Sequence, residues 1–191
     1  MTLSFAIALC HRSFIKAKHL EDVALRLAPA TKITVFSECE HGEFITVRGR
    51  GETHSGLCIR DEDTKPHLLI LRSPDSELMY KLIQQEDSAV VLSFGTCWTL
   101  SPSGEYLRKH DATNKAGTFV QTGEGLFIVA HEMDSFADTV LCRIDQPGVS
   151  TDLLHTSSGF ASPYWRIQYF DKTLLRLHEL ANNVPVSADN E

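Results

Sequence analysis

The sequence predicts an α+β fold in which helices cover one face of a mainly antiparallel sheet. Two observations predict it. Short β-branched and aromatic runs recur between polar, Gly-containing stretches. Four segments space their apolar residues at three and four, the period of a helix with one buried stripe.

Leu3, Phe5, Ile7 and Leu9 alternate with small or polar residues, which predicts a strand. From Ser13 to about Ala28, Ala17, Leu20, Val23, Ala24 and Leu27 form a helical stripe, with Ser13 as cap and Pro29 as stop. Lys32 to Phe36, Glu43 to Val47 and Gly56 to Ile59 are short β runs and predict an antiparallel meander. His67 to Leu71 is a further strand. Ser73-Pro74 then opens a helix carrying Leu78, Met79, Leu82 and Ile83, and Ala89 to Phe94 returns to β. Cys97 to Leu100 and Tyr106-Leu107 predict a hairpin around Ser101 to Gly104.

His110 to Gly117 is a polar connector, and Gly125 to Ala130 is a strand. Met133, Phe136, Ala137, Val140 and Leu141 fit a helix that Gln146-Pro-Gly148 stops. His155 to Pro163 has loop chemistry. A final helix is expected from about Tyr164 to Ala181, with Ile167, Phe170, Leu174 and Leu177 on one side. Residues 1–110 are thus expected to form one α+β unit and 111–181 a smaller one packed on it, with 182–191 as a flexible tail.

With 191 residues, 42% apolar and 23% charged, the chain has the composition of a globular protein. No apolar run reaches the roughly 18 residues of a membrane-spanning helix, so no membrane association is expected. The N-terminal apolar stretch has no basic residue ahead of it, and the expectation is an intracellular protein, cytoplasmic or nuclear. Cys10, Cys39, Cys58, Cys97 and Cys142 are odd in number and scattered, which suits reduced thiols. A net charge of −7 excludes wholesale basic attraction to nucleic acid.

Three groupings bear on chemistry. Cys39 and His41, with His54 and Cys58, flank a predicted strand and offer the donor types of a zinc shell. The one-residue Cys-to-His gap is atypical, and Cys58 belongs in a buried strand, so the reading is a core thiol, a turn cysteine and two surface histidines, without metal. His11-Arg-Ser13 and His155-Thr-Ser157 share the His-x-Ser form of two-histidine phosphoesterases, in which one imidazole activates a nucleophile and the other protonates the leaving oxygen. Cys10 and His11 are adjacent, so on a strand they face opposite ways and cannot pair. No catalytic residue and no cofactor is assigned.

Charge provides the fourth grouping. At about 100° per residue, Arg12, Lys18, His19 and Arg26 share an arc of roughly 120° opposite the apolar stripe of the first helix. Asp22 lies within it. Residues 11–28 carry net +2 in a chain of −7, a localised basic face of the kind that meets phosphate.

The order strand, helix, meander, strand, helix, strand, hairpin over residues 3–108 resembles one domain of the DNA sliding-clamp family, including the checkpoint clamp subunits. KAKHLEDVALRLAPATKITVFSECEHGEFITVRGRGETHSGLCI is similar to the family's helix and following hairpin, and LLILRSPDSELMYKLIQQEDSAVVLSF to its second strand-helix-strand unit. The resemblance implies that inner helices present Lys and Arg to duplex phosphates. Arg12, Lys16, Lys18, His19 and Arg26, with Lys81 on the second helix, would then face DNA. The C-terminal part does not repeat the pattern. The expectation is a non-enzymatic binding or assembly subunit whose partners are proteins, a second copy or duplex DNA. The alternative is a small two-histidine phosphoesterase using His11 and His155.

Overall fold

The structure, a computed structural model, describes residues 31–49, 51–75, 79–110, 114–132, 138–150, 158–171 and 176–183. It is nearly all β, with no helix of seven or more residues among the described residues. The expected α+β class, with helices on one face of the sheet, is therefore corrected to a two-sheet β architecture. The first strand (3–9) and first helix (13–28) lie outside the described residues.

The larger sheet begins with β1 (Lys32–Val35), followed after a single 3-10 turn by β2 (Phe44–Gly49), β3 (Glu52–Arg60), β4 (Pro66–Arg72), β5 (Lys81–Ile83) and β6 (Val90–Ser93). In space the order is β1-β6-β2-β3-β4-β5. Of the expected meander of β1, β2 and β3, only the β2–β3 pairing holds, because β6 comes between β1 and β2 and pairs antiparallel with both; β4, expected as a further strand, pairs antiparallel with β3. The anchor for this insertion is a buried carboxylate. Glu43, 4% exposed, accepts from Ser93 Oγ at 2.8 Å and meets Lys32 Nζ at 2.9 Å, tying the β1, β2 and β6 segments together.

β7 (Trp98–Pro102) and β8 (Arg108–Lys109) follow, then β9 (Phe119–Thr122), β10 (Gly125–His131), β11 (Thr139–Arg143), β12 (Val149–Ser150) and β13 (Gly159–Ser162). The larger sheet continues from β5 through β10, β9 and β13 to β8, with β11 and β12 on the other side of β10. β5 joins β10 by one parallel bridge, Lys81 to His131; every other pairing is antiparallel. The smaller sheet has the order β15-β14-β7, from β14 (Trp165–Asp171) and β15 (Arg176–Asn183).

Several local expectations are corrected. The helix expected from Ser73 through Ile83 gives way to β5, with 76–78 outside the described residues. The helix expected near Met133 to Leu141 gives way in its last part to β11, with 133–137 outside. The expected hairpin around Ser101 to Gly104 is two strands in different sheets, since β7 pairs with β14 and β8 with β13. The loop expected from His155 to Pro163 contains β13. The final helix is a β14–β15 antiparallel pair that ends inside the expected tail, at Asn183. Trp165, Ile167 and Tyr169 are buried while Arg166 between them is exposed, a two-residue alternation that the same segment satisfies as well as the helical stripe.

One core joins both halves of the chain. Phe44, Leu57, Leu69 and Leu71 from β2 to β4 meet Phe119, Ile128 and Cys142 from β9 to β11, and the smaller sheet closes over them with Trp165, Ile167 and Leu180. Trp165 is 1% exposed and donates its indole N–H to the Gly117 carbonyl at 2.6 Å, so its polar atom is satisfied inside the core. The opposite face of β2, β3 and β4 forms a second cluster with Ile45, Val47, Cys58, Leu68 and Ile70.

Candidate functional site

Where the smaller sheet lies beside β9 and β10, a cleft of about 400 Å³ remains. Trp98 and Leu100 of β7 form one wall, Phe119 and Leu126 the other, and Ile144 lies beyond β11. Polar groups are few: Thr96, Asp145, His41 and the Gly42 backbone. An apolar cavity with a small number of placed polar groups is the usual form of a binding site.

The tryptophan wall is fixed. Trp98 donates its indole N–H to the Gly42 carbonyl at 2.8 Å, and Gly42 donates its own N–H to the Cys58 carbonyl at 2.8 Å. Gly42 turns the chain into β2 at φ +78°, a conformation suited to glycine. The Trp98 ring is therefore referenced to the central strand β3 and is half-buried in the cleft wall.

His41 is held at one ring nitrogen and enclosed at the other. Its Nδ1 accepts the backbone N–H of Arg60 at 3.0 Å, so the neutral ring carries its proton on Nε2. Nε2 is buried without a partner of full hydrogen-bond geometry, although the Ile144 carbonyl lies near enough to favour the proton. Burial lowers the His41 pKa below its ordinary value, Asp145 opposes this, and Arg60 and Arg143 add to it. A neutral ring with one nitrogen accepting and the other enclosed is a brace, not a general base. Arg60 completes the brace by donating to the carbonyls of Ser37, Cys39 and Thr64.

Asp145 borders the cleft and is bound through Oδ1 to Arg143 Nε at 3.0 Å. Arg143 also donates to the Glu124 carbonyl and lies 5.7 Å from the centroid of the Phe127 ring. The lining thus contains no hydroxyl or thiol paired with an available base, the arrangement that nucleophilic catalysis requires.

The residues singled out in the sequence fall elsewhere. Arg12, Lys16, Lys18, His19 and Arg26 lie outside the described residues, as do His11 and His155. Lys81 is on β5, not on a helix, and is 8% exposed, so it offers no surface cation there. Cys58 is fully buried as expected, but Cys39 is equally buried, and His54, expected at the surface, is 7% exposed with Nδ1 3.0 Å from Ser73 Oγ. No group of three or more His, Cys, Asp or Glu among the described residues is arranged to hold a metal ion. No helix among them is long and apolar enough to cross a membrane. No family model matches this chain, and neither does any curated protein or solved structure.

Proposed function

We propose that the protein is a non-enzymatic binding module and that the Trp98 cleft is where it binds. The observation that carries this reading is the pairing of rigid apolar walls with polar groups already committed to the fold: Trp98 to Gly42, His41 to Arg60, Asp145 to Arg143. Such a cavity gains free energy by removing apolar surface of another molecule from water, at roughly 25 cal/mol per Å². Its partner on this reading is a protein or small molecule that presents an apolar group. The duplex-DNA alternative rests on the basic positions between Arg12 and Arg26, and Lys81 no longer contributes to it.

The test uses 4-bromobenzyl alcohol, a neutral aromatic whose bromine quenches indole emission on contact. Trp98 is half-buried and Trp165 is fully buried, so the two indoles are separable. The expected result is saturable quenching that disappears in Trp98→Phe and weakens in Leu126→Glu. Linear quenching indifferent to Leu126→Glu would contradict the proposal.

A further inference from the structure

β7 is an edge strand. Among the described residues it pairs only with β14, and its other side carries no strand. The direction of its backbone groups follows from the register. Ser103 N–H donates to the Tyr164 carbonyl at 2.8 Å, one step beyond the Pro102–Trp165 pair. In an antiparallel pair the hydrogen-bonding residues alternate, so Ser101 and Thr99 also point their backbone groups at β14, while Pro102, Leu100 and Trp98 point theirs away. The identities agree. Pro102 has no N–H to leave unpaired, and Trp98 N–H turns back to the Thr96 carbonyl at 2.9 Å. Leu100 therefore presents both N–H and C=O to the open edge.

The same stretch forms a wall of the cleft. Trp98 and Leu100 direct their half-buried side chains into it, and Thr99 and Ser101 between them are exposed. An open main-chain edge bordering an apolar cavity is the arrangement that accepts an extended peptide, in which backbone bonds supply affinity and alternate side chains enter the pocket. The opposite wall continues as a sheet face on which exposed Gln121 separates two apolar residues. Leu126 lies opposite Gln121, and Gln121 opposite Phe160, so all three share one face of β10, β9 and β13, and Phe160 is 64% exposed.

Charge narrows the partner. The border of the cleft is acidic on balance: Asp145 is paired with Arg143, Arg143 takes only the backbone carbonyl of Glu124, the Glu124 side chain is exposed, and the chain carries −7. We infer that β7 and the cleft beside it receive an extended segment of a partner protein, apolar at every second residue and basic at its ends, by strand addition to the Leu100 edge. This names the partner class for the binding reading above and rests on it.

The experiment uses the full-length chain and a dye-labelled peptide, Lys-Thr-Leu-Thr-Leu-Thr-Leu-Lys, followed by fluorescence anisotropy. Two twins carry backbone N-methyl groups, one on the leucine amides and one on the threonine amides. In a bound strand only one set of amides faces β7. The expected result is binding of the parent, retention by one twin, and a loss of at least about tenfold in the other and in Leu126→Glu. Equal binding of both twins would show that side chains alone are held and would overturn strand addition while leaving the cleft as a binding site. Concentration-dependent self-association through β7 that excludes the peptide would assign the edge to a second copy and overturn the inference. Absence of peptide binding, with 4-bromobenzyl alcohol still quenching Trp98 saturably, would overturn the inference alone; absence of both would remove the binding reading as well.

Discussion

Cys39, Cys58 and Cys142 are kept as neutral thiols by their surroundings. Burial pushes Cys39 and Cys142 up to about 12 and Cys58 to about 11, from an ordinary value of 9.0. In Cys39 the neighbouring Cys58 and Glu43 add to the rise, and in Cys58 Arg60 opposes it. As pH rises above about 9 the unfolded chain releases these protons and the folded chain does not, so folding stability falls. His41 limits the other side. Its folded pKa lies below 6.5, so below that pH the unfolded chain takes up a proton that the folded one refuses, and stability falls again. Urea midpoints at pH 5.5, 7.5 and 10.5 are expected to be highest in the middle, with a shallower alkaline decline in Cys142→Val. A midpoint still rising at pH 10.5 would contradict the account. Part of this was legible in the sequence: Cys58 sits in a run of strand formers and could be placed in a core. The burial of Cys39 and His54 was not legible, because it comes from partners distant in the chain, Cys58 and Ser73.

Strand pairing depends on close backbone approach at Gly56. A Cβ there would lie 1.8 Å from the Leu69 carbonyl oxygen, at the point where the β3–β4 register shifts. Gly56→Ala is expected to destabilise by about 3 kcal/mol or more, because backbone on both strands must move. Gly104, where a Cβ meets nothing within 4 Å, is the control, and Gly104→Ala should stay within about 0.5 kcal/mol. Equal midpoints for the two variants in chemical denaturation would show that β3 and β4 are not paired this way. Strands β1, β2, β3, β4, β6 and β10 were legible because Val, Ile, Leu and Phe are concentrated between turn residues. The β14–β15 pair was not. Ile167, Phe170, Leu174 and Leu177 also fit a helical stripe, and only burial against the larger sheet selects the Trp165, Ile167, Tyr169 alternation. β5, with three residues, is too short to show any period.

At the scale of the whole molecule the cleft is a product of assembly. Its lining comes from five stretches of chain, around residues 41–42, 96–100, 119, 126 and 144–145, and no local motif marks them. Sequence motifs therefore directed attention to histidine and cysteine spacings, whereas the site depends on Trp98, Leu100 and Leu126, which look like ordinary strand residues. The same assembly leaves a competing apolar surface far along the sheet order, where Ile33 on β1 and Val90 on β6 are 67% and 65% exposed. A titration of ¹⁵N-labelled protein with 4-bromobenzyl alcohol, followed by amide and indole chemical shifts, separates the two. Saturable shifts are expected at the Trp98 indole and at the amides of Gly42, Leu100 and Leu126, with Ile33 and Val90 unmoved; shifts centred on Ile33 and Val90, with Trp98 silent, would place binding on the other surface and rule out the cleft.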